Sequence, residues 1–296
     1  MRVAFFGLPL AAVLLARDGH EVVWAGLCRA GAPGTRRLGR LAGRARVEAV
    51  PDLSQDATFA RVRDARPQLL VSWFWTTKIP ARILALAPSV GVHPSLLPRH
   101  RGPDPYYWAL ASGDATTGVT AHALDVEYDT GPILGQRVLP IDPRWDAWRL
   151  ARALDRPSLA LLREVVRAHA EGRPPVPRAQ DERAATAAPQ PSDGELAVRW
   201  SWPAAQVERR VRAAAPWPGA WTEIGEAVVT LVRVRPTGDF PRALAPGEAA
   251  VRADGTAVVR AGDEAVELLE GRDEDDALLT AGDLAHVVEE ARAREP

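Results

Sequence analysis

One cysteine, Cys28, is present in 296 residues. A single thiol excludes an internal disulfide and any cysteine-built metal centre, and it fits a reducing compartment, so a cytoplasmic protein is expected. Lysine is equally scarce: Lys78 is the only one, and the other basic residues are arginines. The 37 basic residues meet 38 acidic ones for a net charge of −1, so no global field draws in nucleic acid. No apolar stretch has the length of a bilayer span, which leaves no membrane partner to expect. The apolar opening, MRVAFFGLPLAAVLLARDGHEVV, is broken by Gly7 and Pro9 and turns at Asp18-Gly19, so it reads as strand, helix and strand rather than as a leader. FFGLPL lacks the G-x-G-x-x-G spacing of a dinucleotide site.

What is present is a globular composition, 47% hydrophobic, in a chain long enough for two domains. RVAFFG, EVVWAGL, PQLLVSWFW and SVGVHP are short apolar runs separated by helix-like segments, including residues 9–17, 56–65 and 79–88. That alternation predicts an α/β fold, a mostly parallel Rossmann-like sheet with helices on both faces. TGVTAHALD and PILGQRVLPI, joined by a turn at Asp129-Thr130-Gly131, predict a hairpin added to the sheet, and residues 145–172 predict a long helix. Residues 172–195 hold five prolines and almost no large apolar side chain, the composition of a linker. Beyond it a helix at about 203–215 and a series of short strands, with a tight turn at Asp254-Gly255 and a final helix capped by Thr280, predict a small C-terminal OB-like β-barrel. The expected boundaries are 1–171 for the first domain, 172–195 for the linker and 196–296 for the second domain.

The chemistry concentrates in GVHPSLLPRHRG, residues 91–102. Open parallel sheets bind ligands beyond the carboxyl ends of their strands, and His93 stands at such an end. Pro94 and Pro98 stiffen the loop around it. Asp129, at the turn in DVEYDTG, is the second candidate. A carboxylate beside an imidazole favours its charged form, and such a pair can stabilise an oxyanion and move the proton of an attacking amine.

HPSLLPRHRG followed by GDATTGVTAHALDVEYDTGPI resembles the formyltransferase family that uses 10-formyltetrahydrofolate, with its pattern Asn-x-His-x-Ser-Leu-Leu-Pro, Thr-Gly-Val-Thr and Asp-Thr-Gly. RWSWPAAQVERRVRAAAPWPGAWTEI resembles the opening of the second domain in the branch that acts on methionyl-tRNA. The resemblance implies formyl transfer to an amine, with His93 and Asp129 catalytic. It implies a 10-formyltetrahydrofolate donor bound along Ser95, Leu96, Leu97 and Pro98 and walled by WFWTT, Trp75 above all, with no metal. Gly91 stands where the family has an asparagine whose amide polarises the formyl oxygen. A water or a backbone N–H is the expected substitute in the room glycine leaves, and Gly91→Asn is expected to raise activity. Other acceptors left open are small amines such as amino sugars, with aromatic bulk at Trp73, Trp75, Tyr106, Tyr107 and Trp108 to shape a small pocket; formyl-donor hydrolysis and a folate-binding homologue of weak activity also stay open.

Four further features admit two readings each. His122, in the strand before Asp129, either faces the pocket or is a packed histidine, with packing preferred, while His100 and Arg101 are split between surface and site. Residues Arg29–Arg46 carry six arginines and no acid, so they are either a solvated loop or, as the resemblance implies, a loop that meets tRNA phosphates together with the C-terminal domain. Trp200, Trp202, Trp217 and Trp221 are read as core anchors before base-stacking groups.

Overall fold

The computed structural model describes residues 1–294. These separate into two compact units, one of Met1–Pro105, Thr116–Pro140 and Ala153–Pro189, the other of Tyr106–Ala115, Ile141–Arg152 and the residues from Gln190 onward.

The chain begins with β1 (Arg2–Gly7), α1 (Pro9–Arg17), β2 (Glu21–Leu27), α2 (Thr35–Ala42), β3 (Val47–Ala49), α3 (Asp56–Asp64), β4 (Leu69–Trp73), α4 (Ala81–Leu84) and β5 (Ser89–His93). After α5 (Pro105–Ala111) come β6 (Thr116–His122), β7 (Ile133–Pro140) and α6 (Ala147–Ala170). The seven strands form one sheet in the order β3-β2-β1-β4-β5-β6-β7. From β3 to β5 it is parallel, and β6 and β7 join antiparallel as the expected hairpin. The continuous apolar runs RVAFFG, EVVWAGL and LLVSW form its centre because a parallel strand is covered on both faces and has no wet side to mark with polar residues. From β1 the chain winds outward to β2 and β3, then returns to lay β4 on the other side of β1. The carboxyl ends of β1 and β4 therefore flank a topological switch, the place where sheets of this kind leave a crevice for ligands.

Two segments depart from expectation. Arg29–Arg46 is not a loop throughout, since α2 occupies its middle with Leu38, Gly39 and Ala42 buried and Arg36, Arg37 and Arg40 exposed. Three well-spaced small or apolar residues suffice to dock one helical face, and residues 47–49 then add the edge strand β3, too short to show in the sequence. The helix expected at 79–88 is the single turn α4, because Ala87 precedes Pro88 and is disfavoured from helical backbone. Of the proline-rich 172–195, the part up to Pro189 groups with the first unit: Arg178 pairs with Ile133 and Ala187 with Arg101. It is held by backbone hydrogen bonds and a few polar side chains, which need no large apolar residues.

In the second unit α7 (Asp193–Leu196) and α8 (Ala204–Ala214) precede β8 (Ala220–Ile224), β9 (Ala227–Thr237), β10 (Ala249–Val251), β11 (Ala257–Arg260), β12 (Ala265–Arg272), β13 (Leu278–Thr280) and α9 (Ala281–Arg294). The strands make one antiparallel sheet, β10-β11-β12-β9-β8, with β13 also on β12. One edge of β12 serves β11 with its first half and β13 with its second, while β9 lines its other edge. This is the expected OB-like domain. Thr280 caps α9 through Asp283. Trp200 and Trp221 donate to Thr222 Oγ1 and the Asp193 carbonyl, as anchors should, but Trp217 is 71% exposed.

Candidate active site

His93 ends β5, and its ring is buried. Its Nε2 lies 2.7 Å from the His100 carbonyl oxygen, and its Nδ1 lies 3.4 Å from Asp129 Oδ2. Asp129 is half-buried on the turn between β6 and β7. The two candidates the sequence singled out, 36 positions apart, therefore meet. Asp129 Oδ2 also accepts the Gly102 N–H at 2.9 Å, which ties this turn to the loop after β5.

Three loops that follow β4, β5 and β6 each contain a non-glycine residue at positive φ: Phe74 (57°), His100 (58°) and Asp129 (58°). Such backbone is costly for bulky side chains and persists where neighbouring structure imposes it, commonly at functional sites. The imposing structure here is the segment 178–189, which runs past two of those loops. Gln180 Nε2 donates to the carbonyls of Asp129 and Gly131, both at 2.7 Å. Thr186 accepts the His100 N–H at its Oγ1 and the Arg101 N–H at its carbonyl, while Ala188 exchanges hydrogen bonds with Arg101 and Asp104. Gly102 adopts φ +123°, and a Cβ there would lie 2.8 Å from the Ala188 carbonyl oxygen, so the close approach of this segment needs glycine.

Arg101 is not a solvated surface residue. Its guanidinium grips Gln180 Oε1 and both carboxylate oxygens of Glu182, and its side chain is 13% exposed. The hydrogen bond to Arg101 holds the Glu182 carboxyl below the usual range and raises the guanidinium further. His100 is buried as well. Sequence reasoning missed this framework because its residues lie in a segment whose composition says only that it builds no core.

The other expected site residues fall into two groups. Ser95 and Leu97 are fully or nearly fully buried. Ser95 donates to the Arg99 carbonyl at 2.6 Å, and the Leu97 N–H donates to Thr120 Oγ1 at 3.0 Å. The Thr120 hydroxyl donates to the Ser95 carbonyl, and Gln136 Nε2 donates to the Leu97 carbonyl, so β6 and β7 bolt this loop in place. Leu96 and Pro98 are half-buried. Of the aromatic stretch 73–77, Trp73 turns into the core and donates from Nε1 to Ser158 Oγ at 2.7 Å. Trp75 packs edge-on against Phe6 with ring centroids 5.8 Å apart, beside Leu124 in the same cluster. Its buried Nε1 has no hydrogen-bond partner among the described residues. Lys78, on the same loop, pairs with Glu127 at 2.8 Å and lies 5.6 Å from the Tyr128 ring centroid.

Two expectations need correction. His122 is not merely packed: its Nε2 lies 3.5 Å from Asp129 Oδ1, so one carboxylate spans two imidazoles. Burial pushes His122 below the ordinary histidine range, and Asp129 opposes this. Nor does Gly91 leave open room. A Cβ on residue 91 would stand 2.5 Å from Leu124 Cδ2 and 3.5 Å from His122 Nε2. No group of three or more His, Cys, Asp or Glu residues is so placed among the described residues that it could hold a metal ion, and no helix there is long and apolar enough to cross a membrane.

The formyl transferase family model matches residues 39–166, and the model of the formyl transferase C-terminal domain matches residues 192–288. The chain belongs to the formyl transferase family. It is 36% identical over 308 aligned residues to the methionyl-tRNA formyltransferase of Anaeromyxobacter dehalogenans, which covers 96% of this chain and 97% of that one. With the methionyl-tRNA formyltransferase of Roseiflexus castenholzii it shares 36% identity over 208 residues, 70% of this chain and 66% of that protein. Two solved structures share the fold. HypX from Aquifex aeolicus in complex with tetrahydrofolic acid has a TM-score of 0.65 at 21% identity, over 96% of this chain and 46% of that one. An N-formyltransferase from Helicobacter canadensis in complex with folinic acid and dTDP-3-aminofucose has a TM-score of 0.65 at 12% identity, over 90% of this chain and 98% of that one. Within this formyl transferase the paired motifs of the resemblance thus sit on one folded centre, Gly91 included.

Proposed function

We propose that this formyl transferase moves a formyl group from 10-formyltetrahydrofolate to an amine, and that its acceptor is the amino group of methionyl-tRNA. The observation that carries the reading is the buried His93–Asp129 pair, 3.4 Å apart at the carboxyl end of β5. The full-length likeness to a methionyl-tRNA formyltransferase supports the acceptor.

The residues present suit the donor. The unpaired Trp75 N–H is a buried donor beyond the end of β4, and leaving such a group unsatisfied costs about 1–3 kcal/mol. A pterin ring offers acceptors to relieve it, and the half-buried Leu96, Pro98 and Trp75 offer apolar surface to its faces. Ser95 and Leu97 act behind them by shaping the loop. The amine lone pair attacks the formyl carbon. His93, oriented by Asp129, stabilises the charge that develops on the formyl oxygen when that oxygen takes the place of the His100 carbonyl as acceptor of its Nε2–H. Asp129 takes up the amine proton and returns it to the donor nitrogen, whose bond to the formyl carbon breaks with the electron pair left on nitrogen. The exposed arginines of residues 29–46, Arg36, Arg37 and Arg40 on α2 among them, are the proposed contact for tRNA phosphates, with the second unit as a further contact.

The test is product analysis with a labelled formyl donor. Product on charged initiator tRNA supports the reading. Product only on amino sugars or other small amines replaces the acceptor, formate alone indicates donor hydrolysis, and donor binding without product leaves a folate-binding homologue.

A further inference from the structure

The chain contains no asparagine at any position, so no amide of that type reaches the site from elsewhere. In the β5–β6 pair Gly91 stands opposite His122, and His93 stands opposite Thr120. Residues two apart on a strand share a face, so Gly91, His93, Thr120 and His122 all address the same side of the sheet. With no side chain on residue 91, the His122 imidazole lies over it, 3.5 Å from where a Cβ would be.

The proton positions follow from the neighbours. The Ala123 carbonyl lies 2.8 Å from His122 Nδ1, and the His100 carbonyl lies 2.7 Å from His93 Nε2. A carbonyl only accepts, so both of these nitrogens carry hydrogen. The two inner nitrogens, His93 Nδ1 and His122 Nε2, face the two oxygens of Asp129. With both rings neutral, two lone pairs would point at one anion. A single proton added among the three groups makes one of these contacts attractive and lowers the charge facing the other.

We propose that His122 is a third working member of this centre: acting through Asp129, it holds the proton in transit between the attacking amine and the leaving nitrogen. This rests on the formyl-transfer reading above. The balance is complete. The amine nitrogen gives its lone pair to the formyl carbon, and the carbonyl π pair moves to oxygen. As that pair returns, the bond from carbon to the donor nitrogen breaks with its electrons on nitrogen. One proton leaves the amine and ends on the departing nitrogen, and the His93–Asp129–His122 trio carries it between them. His122 enters the cycle neutral, since burial, His93 and Arg101 all disfavour its charged form, and Asp129, which alone among the facing charged groups favours it, lets the ring hold the proton in passing. His122 is thus a positioning and proton-holding residue, not one that touches substrate.

The experiment pairs kinetics with titration on the full-length protein. In His122→Asn the side-chain amide can still donate to Ala123, but no titrating nitrogen faces Asp129. The expected result is a fall in kcat of about tenfold or more, donor KM within about threefold, and a displaced acidic limb in the pH profile of kcat. By NMR, Asp129→Asn is expected to move the His122 ring titration to lower pH. Folding of each variant is checked by thermal melting, and His122→Gln serves if His122→Asn melts early. Wild-type kcat with an unchanged pH profile overturns the proposal, as does a His122 titration indifferent to residue 129. If the wild-type protein formylates no amine, the proposed function fails, and the titration alone decides whether the trio shares a proton.

Discussion

At the scale of single residues, the site depends on what His93, Asp129 and Gly91 each lack or hold. His93→Ala and Asp129→Asn are each expected to lower kcat on the true acceptor by about 10²–10⁴-fold, the range of a positioned proton-transfer group, with thermal stability read in parallel to exclude unfolding. Gly91→Asn, which the sequence motif suggests should help, is expected to bring no gain in kcat, because Leu124 Cδ2 fills the space a Cβ would enter. A rise in kcat would show that Leu124 yields freely. His122 also gives a stability prediction with a definite sign. Its folded value lies below the ordinary histidine range. Between that lower value and about 6.5 the unfolded chain binds a proton that the native state refuses, so stability falls as pH drops through this window. His122→Asn is expected to show a smaller loss of Tm between about pH 7.5 and about pH 5 than the wild type does.

At the scale of elements, residues 178–189 carry more of the site than their composition suggests. Gln180→Leu removes two donors that hold the Asp129 turn. Kcat is expected to fall about tenfold or more through misplacement of Asp129, with far-UV circular dichroism unchanged. α2 makes a separate prediction. If its exposed arginines meet phosphates, replacing Arg36, Arg37 and Arg40 with alanine should weaken tRNA binding and lower the salt slope by about one for each phosphate no longer neutralised, with free-donor binding unaltered. The strands β1, β2, β4 and β5 were legible because buried parallel strands are written as continuous apolar runs. β3 and the true length of α4 were not, since three residues make no pattern and a nearby proline decides a helix end. The strap over the site was invisible for a different reason. Many of its hydrogen bonds are backbone bonds to residues about 45–90 positions away, and backbone groups leave no mark in composition.

For the whole molecule, the division into units does not follow the order of the chain. Tyr106–Ala115 and Ile141–Arg152 group with the residues from Gln190 onward, and Tyr107 is nearly fully buried there with its hydroxyl on the Glu195 carbonyl and a hydrogen bond from Arg210. A protein truncated after Pro189 would leave both segments without that unit. It is expected to melt at lower temperature than the full chain and to bind a hydrophobic dye, as measured by thermal unfolding and fluorescence.

Sequence alone determined the α/β class, the small second β domain and the family, and it singled out the two residues that meet at the candidate site, because each is written in local pattern: period, turn chemistry, or a motif of adjacent residues. What surrounds those two residues was decided only by the fold. The register of β5 against β6 sets Gly91 opposite His122, the turn at positive φ brings Asp129 between two imidazoles, and a proline-rich segment closes over both loops. These are distances between residues far apart in the chain, and only the packed sheet brings them together.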